Sequence, residues 1–171
     1  HSPVPLSPIY SYTFGMSSFG LYIKQKLARA RADLRMGAPV VLVGTSASLI
    51  YSAEVIDQSR FDSFRDYFND TRLIITARRA ETLKVACYDG DFAQISITAD
   101  RDLRWVKSVT DPSRDLSAGP SGPFQVLRDC AIGQERAALA LLKSAELLPA
   151  AILSEINNPA EFANENGLSL L

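Results

Sequence analysis

Short aliphatic runs alternate along this chain with segments whose apolar residues recur every three or four positions, a pattern that predicts strands interleaved with helices. Leu21, Ile23, Leu27, Ala30 and Leu34 approximate helical spacing as far as Met36. Gly37 then stands at a C-cap position, and Pro39 forces extended backbone beyond it. Residues 40–43 (VVLV) form a continuous apolar run bounded by Gly44, as expected of a strand covered on both faces. Residues 49–53 read as a second strand close to the first, since only residues 44–48 join them. Ser59 is placed to cap a helix through Phe61, Phe64 and Phe68, whose spacing makes one apolar face.

Residues 73–76 predict a third strand, and 77–83 a helix with Arg78 and Arg79 in its first turn. A strand over 92–98 and a helix over 100–109 containing Trp105 follow, then a loop rich in Gly, Pro and Ser over 113–123 and an extended stretch over 124–127. The clearest helix spans 134–147, with Ala137, Ala138, Leu141, Leu142 and Ala145 on its buried side, and it stops before Pro149. Residues 150–156 read as a strand, Pro159 opens a last helix, and Gly167 precedes a closing strand over 168–171. This order predicts an α/β (or α+β) fold: a single layered domain with a mixed β-sheet and helices.

Residues 1–20 are set apart. They hold Pro3, Pro5 and Pro8, then aromatics among small residues, which predicts an N-terminal arm ahead of a domain over 21–171. Tyr10, Tyr12, Phe14 and Phe19 are expected to pack on the domain or on a sister subunit. The length of 171 residues and a hydrophobic content of 47% suit one compact core. A formal net charge of -1 removes the electrostatic case for nucleic acid or an anionic membrane as partner. No apolar run approaches the roughly 18 residues of a membrane span. Cys87 and Cys130 stand alone without a CxxC pair, as in reduced cytoplasmic proteins, so a cytoplasmic location is expected.

The sequence contains one histidine, His1, at its very start. Ser-His-Asp and Cys-His catalysis and histidine-containing zinc sites therefore lack a necessary part. The loop Gly44-Thr45-Ser46-Ala47-Ser48 carries hydroxyls after a strand, but has neither the GxxxxGK[ST] order nor a following lysine, and reads as a plain connection. Asp89, Asp91, Asp100, Asp102, Asp111 and Asp115 read as solvated loop charges, Asp89 and Asp91 flanking a turn at Gly90. The remaining candidate is Gly133-Gln134-Glu135-Arg136-Ala137, a polar cluster after a glycine at the start of the clearest helix.

At these residues the chain resembles the 3,4-dihydroxy-2-butanone 4-phosphate synthase family of riboflavin biosynthesis. The likeness covers about residues 24–171, through ADLRMGAPVVLV, LIYSAE, LIITARRAETL, Thr98-Ala99-Asp100-Arg101, Asp111-Pro112, 124–128 and 148–156 in order. The resemblance implies the synthase fold, a homodimer, and a lyase that converts ribulose 5-phosphate to 3,4-dihydroxy-2-butanone 4-phosphate and formate with magnesium. It also brings GTP cyclohydrolase II into view, because the synthase is often fused ahead of it, and Leu171 falls where a fused cyclohydrolase would begin.

The departures sit on the catalytic positions. The family's first strand runs into an acidic Arg-Glu-Asn-Glu-Gly-Asp loop; here that connection is the uncharged 44–48. The family's Gly-His-Thr-Glu-Ala supplies a metal-ligand histidine and a catalytic glutamate; here Gln134, Glu135 and Arg136 follow Gly133, after Cys130-Ala131-Ile132 in place of a basic lead-in. Glu135 is offset from the family's glutamate by one helical position, about 100° round a helix. The expectation is a catalytically silent synthase-like domain, with no magnesium and no other cofactor, that folds or dimerises as the N-terminal module of a cyclohydrolase-type protein. Two other readings carry different residues. An active lyase would use Glu135 and Asp100 as acids with Arg101, Arg128 and Arg136 on the phosphate, and a regulatory module would use the same arginines to bind a phosphorylated metabolite.

Overall fold

The structure, a computed structural model, describes residues 8–88, 90–117, 119, 122–128 and 132–171, with side chains from residue 20 onward. Its helices are α1 (Pro8–Arg35), α2 (Gln58–Tyr67), α3 (Ala77–Leu83), α4 (Leu103–Thr110), α5 (Glu135–Ser144) and α6 (Pro159–Asn166). Its strands are β1 (Val40–Val43), β2 (Ala47–Ser52), β3 (Arg72–Thr76), β4 (Phe92–Ser96), β5 (Ala150–Glu155) and β6 (Ser169–Leu170). The strands form one sheet in the order β4-β3-β5-β2-β1-β6. Every pairing is antiparallel except that of β1 with β6, so the sheet is mixed, as the alternation of elements predicts.

Side chains on a strand point alternately to its two faces, and both faces here are apolar. Val41, Leu49, Leu73, Ile75, Ile95 and Ile152 meet Phe61 and Phe64 of α2, Ala80 of α3, Trp105 and Val109 of α4, and Ala163 of α6. Val40, Leu42, Ile50, Ile74 and Leu153 meet Ala30 and Leu34 of α1 and Ala138, Leu141 and Leu142 of α5. The result is three layers, with α1 and α5 the helices on the second face among the described residues. Polar links tie that pair together: Arg31 Nε donates to Ser144 Oγ at 3.0 Å, and Arg35 donates to the Ala145 carbonyl at 3.4 Å.

Several boundaries differ from expectation. The first helix does not begin at Leu21 but reaches back to Pro8, so residues 8–20 are helical rather than an irregular arm. A proline in the first turn removes an N–H that has no intrahelical partner anyway. Residues 1–7 and the side chains of Tyr10, Tyr12, Phe14 and Phe19 lie outside the described residues. Asp57, not Ser59, caps α2 by accepting from Arg60 N at 2.8 Å. Asp57→Ala is expected to cost about 1 kcal/mol of stability; an unchanged urea midpoint would remove the cap from the account.

The helix expected over 100–109 starts at Leu103, because Asp102 caps it through Trp105 N at 2.9 Å. The strand over 92–98 ends at Ser96. The stretch over 124–127 adds no full strand but joins the edge by a Val126–Ile95 bridge and the bond from Leu127 N to the Gln94 carbonyl, 2.9 Å. The helix expected over 134–147 runs only from Glu135 to Ser144, and the chain turns away through Glu146 at φ 61°. Ala137, expected on its buried side, is exposed, and Leu139 is buried. No described helix is long and apolar enough to cross a membrane.

Candidate functional site

The β1–β2 turn and the start of α5, 86–88 residues apart in sequence, meet at one end of the sheet. Antiparallel pairing brings Val43 opposite Ala47, so residues 44–46 make a tight hairpin turn that projects beyond β1. α5 packs on the same face through Ala138, Leu141 and Leu142, which aims its first residues at that turn.

Gln134 closes the gap. Its side chain is 5% exposed, and its Nε2 donates to the Ser46 carbonyl at 2.8 Å while its Oε1 accepts from Ser48 Oγ at 2.9 Å. Ser46 Oγ donates to the Ile132 carbonyl and lies 3.3 Å from the same Oε1. The amide orientation is dictated, because a carbonyl can only accept and must face the NH₂ end. A Cβ at Gly44 would come within 2.9 Å of Gln134 Nε2, so this approach requires a glycine there.

Glu135 turns away from the turn. Its carboxylate accepts from the backbone N–H groups of Ile132 and Gly133, the latter at 2.9 Å, and it is 2% exposed. Gly133 is held at φ 109°, a conformation that favours glycine, so the backbone can fold round this carboxylate. Arg136, one residue on, is exposed; its Nε bonds Asp91 at 2.7 Å, and its guanidinium lies 5.3 Å from the Phe92 ring centroid.

The other candidate groups are dispersed, apart from the sequence neighbours Arg101 and Asp100, whose Nε and Oδ2 lie 4.0 Å apart. Arg101 donates to the Pro123 carbonyl at 2.6 Å and stacks 5.0 Å over Trp105. Arg128 donates to the Tyr88 hydroxyl at 2.5 Å and lies 4.0 Å over that ring. Asp100 accepts from Thr98 Oγ1, and this bond holds its carboxyl below the usual carboxylate range. Asp102 and Asp111 bond backbone N–H groups of their own turns. Gly90, at φ 90°, makes the turn beside Asp91. Asp89 and Cys130 lie outside the described residues, and Cys87 donates its thiol to the Phe92 carbonyl at 2.9 Å.

Magnesium is held by hard oxygen donors, carboxylates foremost. The donor set where the turn meets α5 does not fit it. Two hydroxyls and an amide oxygen bond one another, the Glu135 carboxylate faces backbone N–H groups, and Glu155, opposite Ser48 in the sheet register, is exposed. Among the described residues no three Asp, Glu, His or Cys side chains cluster as a metal would require. Beside the turn runs a groove of about 500 Å³ walled mainly by apolar side chains, among them Leu27, Leu42, Val43, Ala137 and Leu171.

Sequence reasoning found Gln134 and the uncharged turn separately but missed Ser46 and Ser48 as the amide's partners. The usable signal was an amide at a helix start and two serines after a strand, with nothing local to join them.

No family model matches the chain, and no curated protein matches it either. Solved structures do. A 3,4-dihydroxy-2-butanone 4-phosphate synthase in its cation-free form aligns over 85% of this chain and 91% of its own, with TM-score 0.61 and 18% identity. The enzyme of Candida albicans aligns over 85% and 92%, with TM-score 0.60 and 16% identity. A two-domain synthase from A. baumannii aligns over 84% of this chain at TM-score 0.59 and 16% identity, and the match spans 54% of that longer protein, about half its length. The chain therefore has the fold of these synthases.

Proposed function

We propose that this chain is a catalytically silent synthase-fold domain that serves as a structural, dimerising module, fused to or associated with a cyclohydrolase-type partner. The Gln134 clasp carries the reading. Where the resembling family would set an acidic loop against a metal-ligand histidine, an uncharged turn is bonded to an amide that neither transfers protons near neutral pH nor replaces a set of carboxylates.

The surroundings support it. Glu135, beside the clasp, is occupied by two backbone N–H groups, and the three arginines proposed for a phosphate are dispersed on Asp91, Tyr88 and Pro123. The adjoining groove is apolar, and α1 exposes Leu21, Tyr22 and Ile23, surface of the kind that marks protein contacts. The two-domain synthase from A. baumannii supports a fused or associated partner domain.

Incubation with ribulose 5-phosphate and magnesium, followed by formate detection, is expected to give no product above a protein-free blank. Steady formate release would establish the lyase instead. Sedimentation equilibrium of the chain is expected to report a dimer, and a monomer throughout the concentration range would remove the dimerising role.

A further inference from the structure

A second cleft lies at the other end of the sheet. Ser48 at the clasp pairs with Glu155, the last residue of β5, whereas this cleft sits beside Ala150, the first, which adjoins the end of β3. It encloses about 360 Å³, within the range of small-molecule sites, and its walls include Thr76, Arg78, Thr82, Thr110, Leu148 and Pro149.

Its charges are unequal. Arg79, which also lines it, is spent: Nε donates to the Val109 carbonyl at 2.7 Å, and both terminal nitrogens bond Asp115 at 2.7 Å. That pair is neutral and holds the Asp115 carboxyl below its usual range. Glu54 accepts from Leu148 N at 3.3 Å. Arg78 is exposed, and its guanidinium has no hydrogen-bond or carboxylate partner among the described residues, so it is the unbalanced charge at this cleft.

Thr110 adds an independent sign. It is 4% exposed, and its Oγ1 is buried without a hydrogen-bond partner. Rotation of its side chain toward the cleft would give this hydroxyl the partner that a bound oxygen offers. Thr76 Oγ1 accepts from Arg79 N, leaving its own hydrogen to donate. A free cation and available hydroxyls share the space with Leu148, Pro149 and Pro112.

We propose that this cleft binds a small organic anion, its oxyanion head on Arg78 and the threonine hydroxyls and its compact apolar body against Leu148 and Pro149. The site is separate from the clasp and does not depend on whether the chain is a lyase.

The test titrates the full chain with phenyl phosphate, benzoate and benzyl alcohol, following backbone amide resonances. Saturable shifts at Thr82, Thr110 and Leu148 are expected with one or both anions, the stronger of the two identifying a phosphate or a carboxylate head. Arg78→Ala is expected to weaken that binding about tenfold or more, as for a lost charged hydrogen bond. Thr110→Val is expected to weaken it several-fold while leaving the melting temperature unchanged or raised, since the hydroxyl it removes has no partner. A hydroxyl with a structural role would instead lower the melting temperature. Absence of shifts with both anions at about 10 mM, a weaker limit than any useful site, would overturn the proposal. So would equal binding of benzyl alcohol, or binding undiminished in Arg78→Ala.

Discussion

Gln134→Glu, a change of one side-chain group, is expected to destabilise the fold in a pH-dependent way. Gln134 Nε2 donates to the Ser46 carbonyl at 2.8 Å, and an ionised carboxylate would turn an oxygen on that carbonyl in a site only 5% exposed. The protonated acid can still donate, so the folded state holds the proton more tightly than the unfolded chain, where a glutamate titrates near about 4.3. An acid with its folded pKa raised leaves stability nearly intact below the unfolded value. Stability then falls as pH climbs through the window between the two values. A rise of roughly two units corresponds to about 2.7 kcal/mol lost at neutral pH.

Gln134→Ala separates charge from packing. It strands the Ser48 hydroxyl, which is fully buried, at a cost of about 1–3 kcal/mol with no such pH dependence. Urea unfolding of both variants at pH 4 and pH 7 gives the comparison. A glutamate variant as stable as the parent at pH 7 would mean that the amide does not hold the turn, and the central observation behind the proposed catalytic silence would go with it.

The largest loss is expected from Phe61→Ala. Phe61 is 1% exposed and joins α2 to the sheet face that also carries Leu49, Leu73 and Ile152. Truncating a buried phenylalanine costs about 3–5 kcal/mol, the transfer free energy of the ring together with the cavity it leaves. In a chain of this size each kcal/mol is worth roughly 2–4 °C of melting temperature, so the shift is large in a thermal scan. Leu116→Ser, at a residue fully exposed on its loop, is the matched control and is expected within about 0.5 kcal/mol of the parent. Equal melting temperatures for Phe61→Ala and the control would contradict the packing of α2 on the sheet.

Where local chemistry and burial agree, expectation and structure coincide. The run VVLV is β1 from Val40 to Val43, and residues 77–83 form α3, whose start is capped by Thr76 Oγ1 accepting from Arg79 N at 3.1 Å. Two readings failed where one signal masked another. Prolines and glycines before Leu21 suggested irregular backbone, although only positions beyond the first turn make proline costly in a helix, and α1 begins at Pro8. Helical periodicity placed Ala137 inside α5, but the helix is rotated so that Leu139 packs and Ala137 lines the groove.

The sequence by itself determined the layered α/β architecture, the amide at Gln134 and the absence of charge between Gly44 and Ser48, because each depends on residue type and local period alone. Only the tertiary structure decided that these two positions clasp each other, that Glu135 bonds its own backbone, and that Arg101, Arg128 and Arg136 are dispersed on separate partners. It also decided which of two adjacent arginines lacks a partner among the described residues: Arg79 reaches Asp115, 36 residues away, and Arg78 lines an open cleft. The physical reason is the same throughout. A side chain's hydrogen-bond partner is set by how helices dock on the sheet, and docking joins residues dozens of positions apart that no local pattern relates.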